Sequence, residues 1–142
     1  MELVAERDVH ASTARVWAAL TDVQNWPRWT DSMRELRLLD GSLGLGSRVR
    51  IVQPRLRPMV WTVIEFVVER ELTWTAKAAG VVTTATHSLR PGTDGTTRLR
   101  LGLHQRGLLA PVLTALLERR SRHYVELEID GLRAAAEAPL PQ

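Results

Sequence analysis

The sequence predicts an α+β fold: a curved antiparallel sheet of about seven strands wraps around a long C-terminal helix, and two short helices close one end. Three observations lead there. Between Met33 and His104 short apolar segments follow one another with only turns between them, the pattern of a meander rather than of parallel crossover units. After Gly107 the apolar period becomes helical and holds to Glu137. A sheet with one apolar face needs a cover, and this last helix is the only element long enough to provide it.

Each element has a local reason. Leu3–His10 reads as a first strand. Ser12 or Thr13 can cap a short helix through Leu20, with Val16, Trp17 and Leu20 at helical spacing. Asn25-Trp26-Pro27-Arg28-Trp29 breaks that helix, because the residue before a proline avoids the α region, so the chain turns or restarts as a second short helix. Strands are expected at Leu36–Leu39, Arg48–Gln53, Val60–Val68, Leu72–Lys77 and Val81–Arg90. Asp40–Ser47 is a glycine-rich loop between strands, not a strand-to-helix nucleotide fingerprint. Pro91-Gly92-Thr93-Asp94-Gly95 is a hairpin turn, and after it Leu99, Leu101 and Leu103 alternate with Arg98, Arg100, Gly102 and His104. Leu108–Glu137 makes one helix of about 30 residues, roughly 45 Å long. Pro111 falls in its first turn, where its missing N–H does no harm, and Gly131 marks a weak point where it could bend. Residues 1–137 read as one domain, and Ala138–Gln142 as a disordered tail.

Composition narrows the function. With 142 residues, 44% hydrophobic and 25% charged, the chain is of ordinary globular type. It has no cysteine, which removes disulfides, thiolate nucleophiles and Cys-ligated metals. No apolar run reaches membrane-spanning length and Met1–His10 is no signal peptide, so the expected location is the cytoplasm. The net charge of +3 rests almost wholly on arginine, with Lys77 the single lysine; such a skew fits a coding bias, and the arginines are scattered among acids. Nucleic-acid binding would need them on one face, so that partner is not expected. No Gly-x-Ser-x-Gly, HExxH, His-x-His or phosphate loop is present, and neither a metal nor a cofactor is called for.

Several segments resemble the START-like superfamily (the helix-grip, SRPBCC fold), and most closely its bacterial polyketide cyclase/dehydrase and lipid-transport-like branch. Val9-His10-Ala11-Ser12-Thr13-Ala14-Arg15-Val16-Trp17 resembles the family's strand-to-helix entry, with Ser12 and Thr13 where prolines are usual. Thr21-Asp22-Val23-Gln24-Asn25-Trp26-Pro27-Arg28-Trp29 resembles its Asp-x-x-x-aromatic-Pro-x-Trp segment. Gly44-x-Gly46-Ser47-Arg48, Leu72-Thr73-Trp74, and His87-Ser88-Leu89-Arg90-Pro91 followed by Asp94-Gly95-Thr96-Thr97-Arg98-Leu99 resemble its later strands and hairpin. The matches run in order over nearly the whole chain. The resemblance implies a largely apolar cavity between sheet and long helix; the superfamily includes binders, lipid carriers and cyclases.

Within that expectation a few side chains stand out. At 100° per residue Leu109, Leu113, Leu116 and Leu127 fall within about 40° of one line, taken as the face toward the sheet. Arg120 lies about 20° from that line and His123 about 40° to its other side, while Leu117 and Tyr124 flank it. A guanidinium inside an apolar stripe must be paired or wet. Arg120 is therefore either a pocket cation for an anionic ligand group, or a long side chain reaching an open edge or an internal carboxylate such as Glu65. His87 shares the strand phase of Leu89, Ala85 and Thr83 and should point inward, as a proton-exchanging wall group or as a histidine bonded to backbone or to Thr75 and Thr86. Trp74, in phase with Leu72 and Ala76, either fills the core or lines the cavity wall; Trp61 has no readable face, and Trp17, Trp26 and Trp29 either seal the open end or lend one ring to the cavity mouth. Gln53, in phase with Val49 and Ile51, is either a polar wall residue or the strand's frayed end before Pro54, and Met33 and Met59 either line the cavity or fill gaps in the core. The ligand-binding candidates on strands are Ile51, Gln53, Trp74, His87 and Leu101. On the helix they are Leu113, Leu116, Leu117, Arg120 and Tyr124. Arg120 with His87 is the only pair that could carry catalysis.

Three functions remain open. The chain binds a small hydrophobic or aromatic ligand (a lipid, isoprenoid or polyketide-like molecule). Alternatively it is a cyclase, aromatase or dehydratase acting on such a ligand without metal or cofactor, using shape and one proton-moving pair. A third reading is a macromolecular interaction module, in which case the helix–sheet interior would be filled.

Overall fold

The computed structural model describes residues 2–139. Its strands are β1 (Glu2–Val9), β2 (Glu35–Leu38), β3 (Arg48–Val52), β4 (Met59–Val67), β5 (Glu71–Ala78), β6 (Val81–Pro91) and β7 (Thr97–Arg106). They form one antiparallel sheet in the spatial order β1-β7-β6-β5-β4-β3-β2, so β2 to β7 are a continuous meander and β1 pairs with its last strand. Helix α1 (Thr13–Thr21) and a 3-10 turn (Val23–Arg28) join β1 to β2, and α2 (Ala110–Glu137) follows β7. This is the α+β helix-grip arrangement that the sequence predicts.

Local chemistry explains the ends of the elements. The Ser12 hydroxyl accepts the Arg15 N–H at 3.2 Å and starts α1. Pro27 lies inside the 3-10 turn, and the Trp26 indole N–H donates to the Leu20 carbonyl at 2.9 Å, tying the turn to α1. The β5–β6 hairpin turns on Ala79 (φ +51°) and Gly80 (φ +76°), two positive φ values as a two-residue type I′ loop requires. A bulge between Val63 and Glu65 in β4 keeps Val63 and Phe66 on the inner side, Phe66 edge-on to Trp17 at 5.3 Å. The same bulge leaves Glu65 exposed, which removes it as an internal partner for Arg120.

Helix α2 is seated by its C-terminal half. Ile129, Leu132 and Ala136 are buried against the core, and on β1 Arg7 forms ion pairs with Glu126 and, at 3.0 Å, with Asp130. The helix runs unbroken through Gly131, where the sequence suggests a bend. A Cβ there would lie 2.1 Å from the Trp29 carbonyl oxygen, so glycine is present because backbone meets helix. The N-terminal half stands away from the sheet, with Leu109, Val112 and Leu116 more than half exposed. The Ala138 carbonyl accepts from the Arg15 guanidinium; of the tail expected at Ala138–Gln142, positions 140–142 lie outside the described residues. Among the described residues no helix is long and apolar enough to cross a membrane.

Candidate functional site

The gap beneath the raised half of α2 is a cavity of about 470 Å³. Its walls are Met33 before β2, Ile51 and Gln53 of β3 and its following loop, Met59 and Trp61 of β4, Trp74 of β5, Thr83, Ala85 and His87 of β6, and Leu103 and Gln105 of β7. From α2 come Leu113, Leu117, Ser121, Tyr124, Val125 and Glu128, with Leu109, Val112 and Leu116 at the mouth. The 56–58 loop and the hairpin residues Ala78 and Ala79 complete that mouth. Strand alternation accounts for the sheet side: Thr83, Ala85 and His87 are two apart on one face of β6, as expected from their phase.

The inner end is polar at one point. His87 is 2% exposed. Its Nδ1 lies 2.8 Å from the carbonyl oxygen of Leu72, its direct partner across β5 and β6, and its Nε2 lies 3.0 Å from Glu128 Oε1. A carbonyl can only accept, so Nδ1 carries hydrogen. The short Nε2–Oε1 approach then requires one more proton on the line between ring and carboxylate, since two lone pairs would repel. Trp74 and Trp26 meet the imidazole edge-on, with ring centres 5.3 and 5.7 Å away. Their apolar packing keeps water from one flank, while the carboxylate reaches the cavity. Two other polar walls are held: Gln53 donates through Nε2 to the Ser32 carbonyl at 3.3 Å, and the Tyr124 hydroxyl donates to the Pro54 carbonyl.

The structure brings most of the sequence candidates to this wall. Ile51, Gln53, Trp74, His87, Leu113, Leu116, Leu117 and Tyr124 all line it. Two do not. Leu101, paired with Ala5 on one side and His87 on the other, is buried in the core, and its strand contributes Leu103 and Gln105 to the wall instead. Arg120 lies outside the cavity, in a groove beside the mouth with Pro54, Arg55, Arg119 and His123, so it does not pair with His87. The reason is rotational. The line through Leu109, Leu113, Leu116 and Leu127 is turned by about 75° from the face that looks into the cavity, which runs through Leu117, Tyr124 and Glu128. Two of the leucines used to orient the helix, Leu109 and Leu116, are exposed mouth residues rather than core.

Glu128 is the residue that sequence reasoning missed. Its signal was available: Leu117, Tyr124 and Glu128 are seven and four apart and so share a helix face. Trp61, 7% exposed, also faces inward, 6.4 Å from Trp74 ring to ring. Among the described residues no group of three or more histidines and carboxylates is placed to hold a metal ion.

Comparison with known proteins assigns the architecture. A family described as polyketide cyclase / dehydrase and lipid transport matches residues 1–137. The chain belongs to that family. Solved structures similar to this polyketide cyclase/dehydrase and lipid-transport member include a START superfamily protein from Mycobacterium smegmatis (TM-score 0.78, 15% identity, covering 96% of this chain and 97% of that one). Another is a protein from Thermus thermophilus (TM-score 0.76, 20% identity, 96% and 97% coverage). A third is truncated norcoclaurine synthase from Thalictrum flavum (TM-score 0.77, 12% identity, 99% and 95% coverage). At these identities the likeness concerns the START-like fold alone. No curated protein matches the sequence.

Proposed function

We propose that this polyketide cyclase/dehydrase and lipid-transport family member binds a small, mainly apolar molecule in the cavity under α2, with an oxygen of the ligand turned toward the His87–Glu128 pair. The observation that carries the reading is the cavity itself, about 470 Å³, within the size range of small-molecule sites, walled by Trp, Leu, Met, Val and Ile with a few polar groups among them. Ile51, Trp74, Leu113 and Leu117 supply apolar contact; His87, Glu128, Gln53 and Tyr124 supply orientation. Native mass spectrometry of protein purified from its own host tests this: a co-purifying small molecule is expected. Ala85→Phe should abolish its retention while the fold persists, because the ring fills the cavity. Retention by Ala85→Phe at the wild-type level would refute the cavity as the site.

A second reading follows from one feature. The pair holds a proton between Nε2 and Oε1 at the cavity wall, so it can pass that proton to a ligand carbonyl oxygen while the carboxylate accepts one from the adjacent carbon, a keto-to-enol conversion with no atom gained or lost. That is the proton chemistry a cyclase or dehydratase of a polyketide-like ligand needs. Under this reading Glu128→Gln lowers turnover and spares affinity; under the binding reading it changes affinity and no turnover is seen.

A further inference from the structure

The groove beside the mouth has chemistry opposite to that of the cavity. Arg55, Arg119, Arg120 and His123 converge on it, and no carboxylate lines it. Among the described residues the three guanidiniums make no hydrogen bond or ion pair, whereas Arg122 on the same helix is matched with Glu118 at 3.6 Å. Converging cations without counter-charges repel one another and raise the local affinity for an anion. Arg55 is moreover held at φ +62°, a conformation that non-glycine residues adopt at a cost. Residues 116, 119, 120 and 123 recur at helical spacing, so this is a continuous face of α2. Groove and cavity share two walls, Leu116 and Tyr124, and so lie side by side.

We propose that the groove binds the anionic head, a carboxylate or a phosphate monoester, of an amphiphile whose apolar body passes Leu116 and Tyr124 into the cavity. Guanidiniums suit this task, since each can give two parallel N–H donors to a carboxylate or phosphate. The proposal rests on the reading that the cavity holds an apolar ligand, and adds the class of that ligand.

Titration of the full chain with dodecanoate, dodecyl phosphate and dodecanol, followed by calorimetry below the micelle concentrations of the two anions and the solubility limit of the alcohol, tests it. The anionic probes should bind at least about tenfold more tightly than the alcohol, and added salt should narrow that ratio. The double variant Arg119→Gln/Arg120→Gln should bring the anions to within about twofold of dodecanol without moving dodecanol itself. Whichever anion gains most identifies the head. Equal affinity for all three in the wild type, or a preference that survives the double variant, overturns the groove while leaving the cavity reading intact. If none of the three binds, or if Ala85→Phe binds all three unchanged, the cavity reading falls and the proposal falls with it.

Discussion

His87 Nε2 and Glu128 Oε1 stand 3.0 Å apart across the gap between β6 and α2, and that line joins the two layers of the fold at the inner end of the cavity. The other imidazole nitrogen is already committed to the Leu72 carbonyl, so the pair is fixed in orientation from both sides.

Changing the carboxylate therefore separates charge from hydrogen bonding. Glu128→Gln keeps a donor for Nε2 and should cost less than about 1 kcal/mol, whereas Glu128→Leu strips the buried ring of its partner and should cost about 1–3 kcal/mol. Denaturant unfolding measures both. Nitrogen NMR of His87 adds a direct readout: in Glu128→Gln the ring should be the neutral tautomer with hydrogen on Nδ1 alone. Equal destabilisation by the two variants would contradict the geometry.

Gly131 offers a test of opposite sign to helix propensity. In an exposed helix interior, glycine to alanine gains about 1 kcal/mol. Here the new Cβ would sit 2.1 Å from a backbone oxygen of Trp29, which cannot swing aside as a side chain would. Gly131→Ala should lose about 3 kcal/mol and lower the melting temperature by roughly 10 °C. A neutral or raised melting temperature would mean that Trp29 and α2 do not pack this closely.

Glu71 links burial to pH. Desolvation raises its carboxyl above the ordinary value of 4.5, with nearby Glu65 adding to the rise, and the bonds from Ser88 and the charges of His87 and Arg100 only partly offset it. The folded state thus binds this proton more tightly than the unfolded one. Its contribution to stability is fully present below the ordinary carboxylate range and is lost as pH rises through the raised value. Glu71→Gln keeps an acceptor for Ser88 and should flatten that decline, seen as a smaller loss of stability between mildly acidic and neutral pH. An unchanged pH profile would refute the assignment.

Arg7 should matter less than its two ion pairs suggest. Its side chain is 27% exposed and its partners Glu126 and Asp130 more so. Arg7→Leu is expected to cost about 1 kcal/mol or less, and less again at high salt, because Ile129, Leu132 and Ala136 hold α2 by burial. A loss unchanged by salt would show that its packing, not its charge, is what matters.

The layers can be read along the chain. Alternation of Leu99, Leu101 and Leu103, the turns at Gly80 and Pro91–Gly95, and the long helical period after Gly107 depend on neighbours in the chain, so the meander, its covering helix and the inward phase of His87 and Trp74 were all legible. The rotation of α2 against the sheet, by contrast, is set by packing between distant segments. A leucine looks the same in sequence whether it fills a core or rims an opening, and Leu109 and Leu116 do the latter. That rotation sent Arg120 to the outer groove and brought Glu128 to His87, a contact spanning 41 positions that no local pattern specifies.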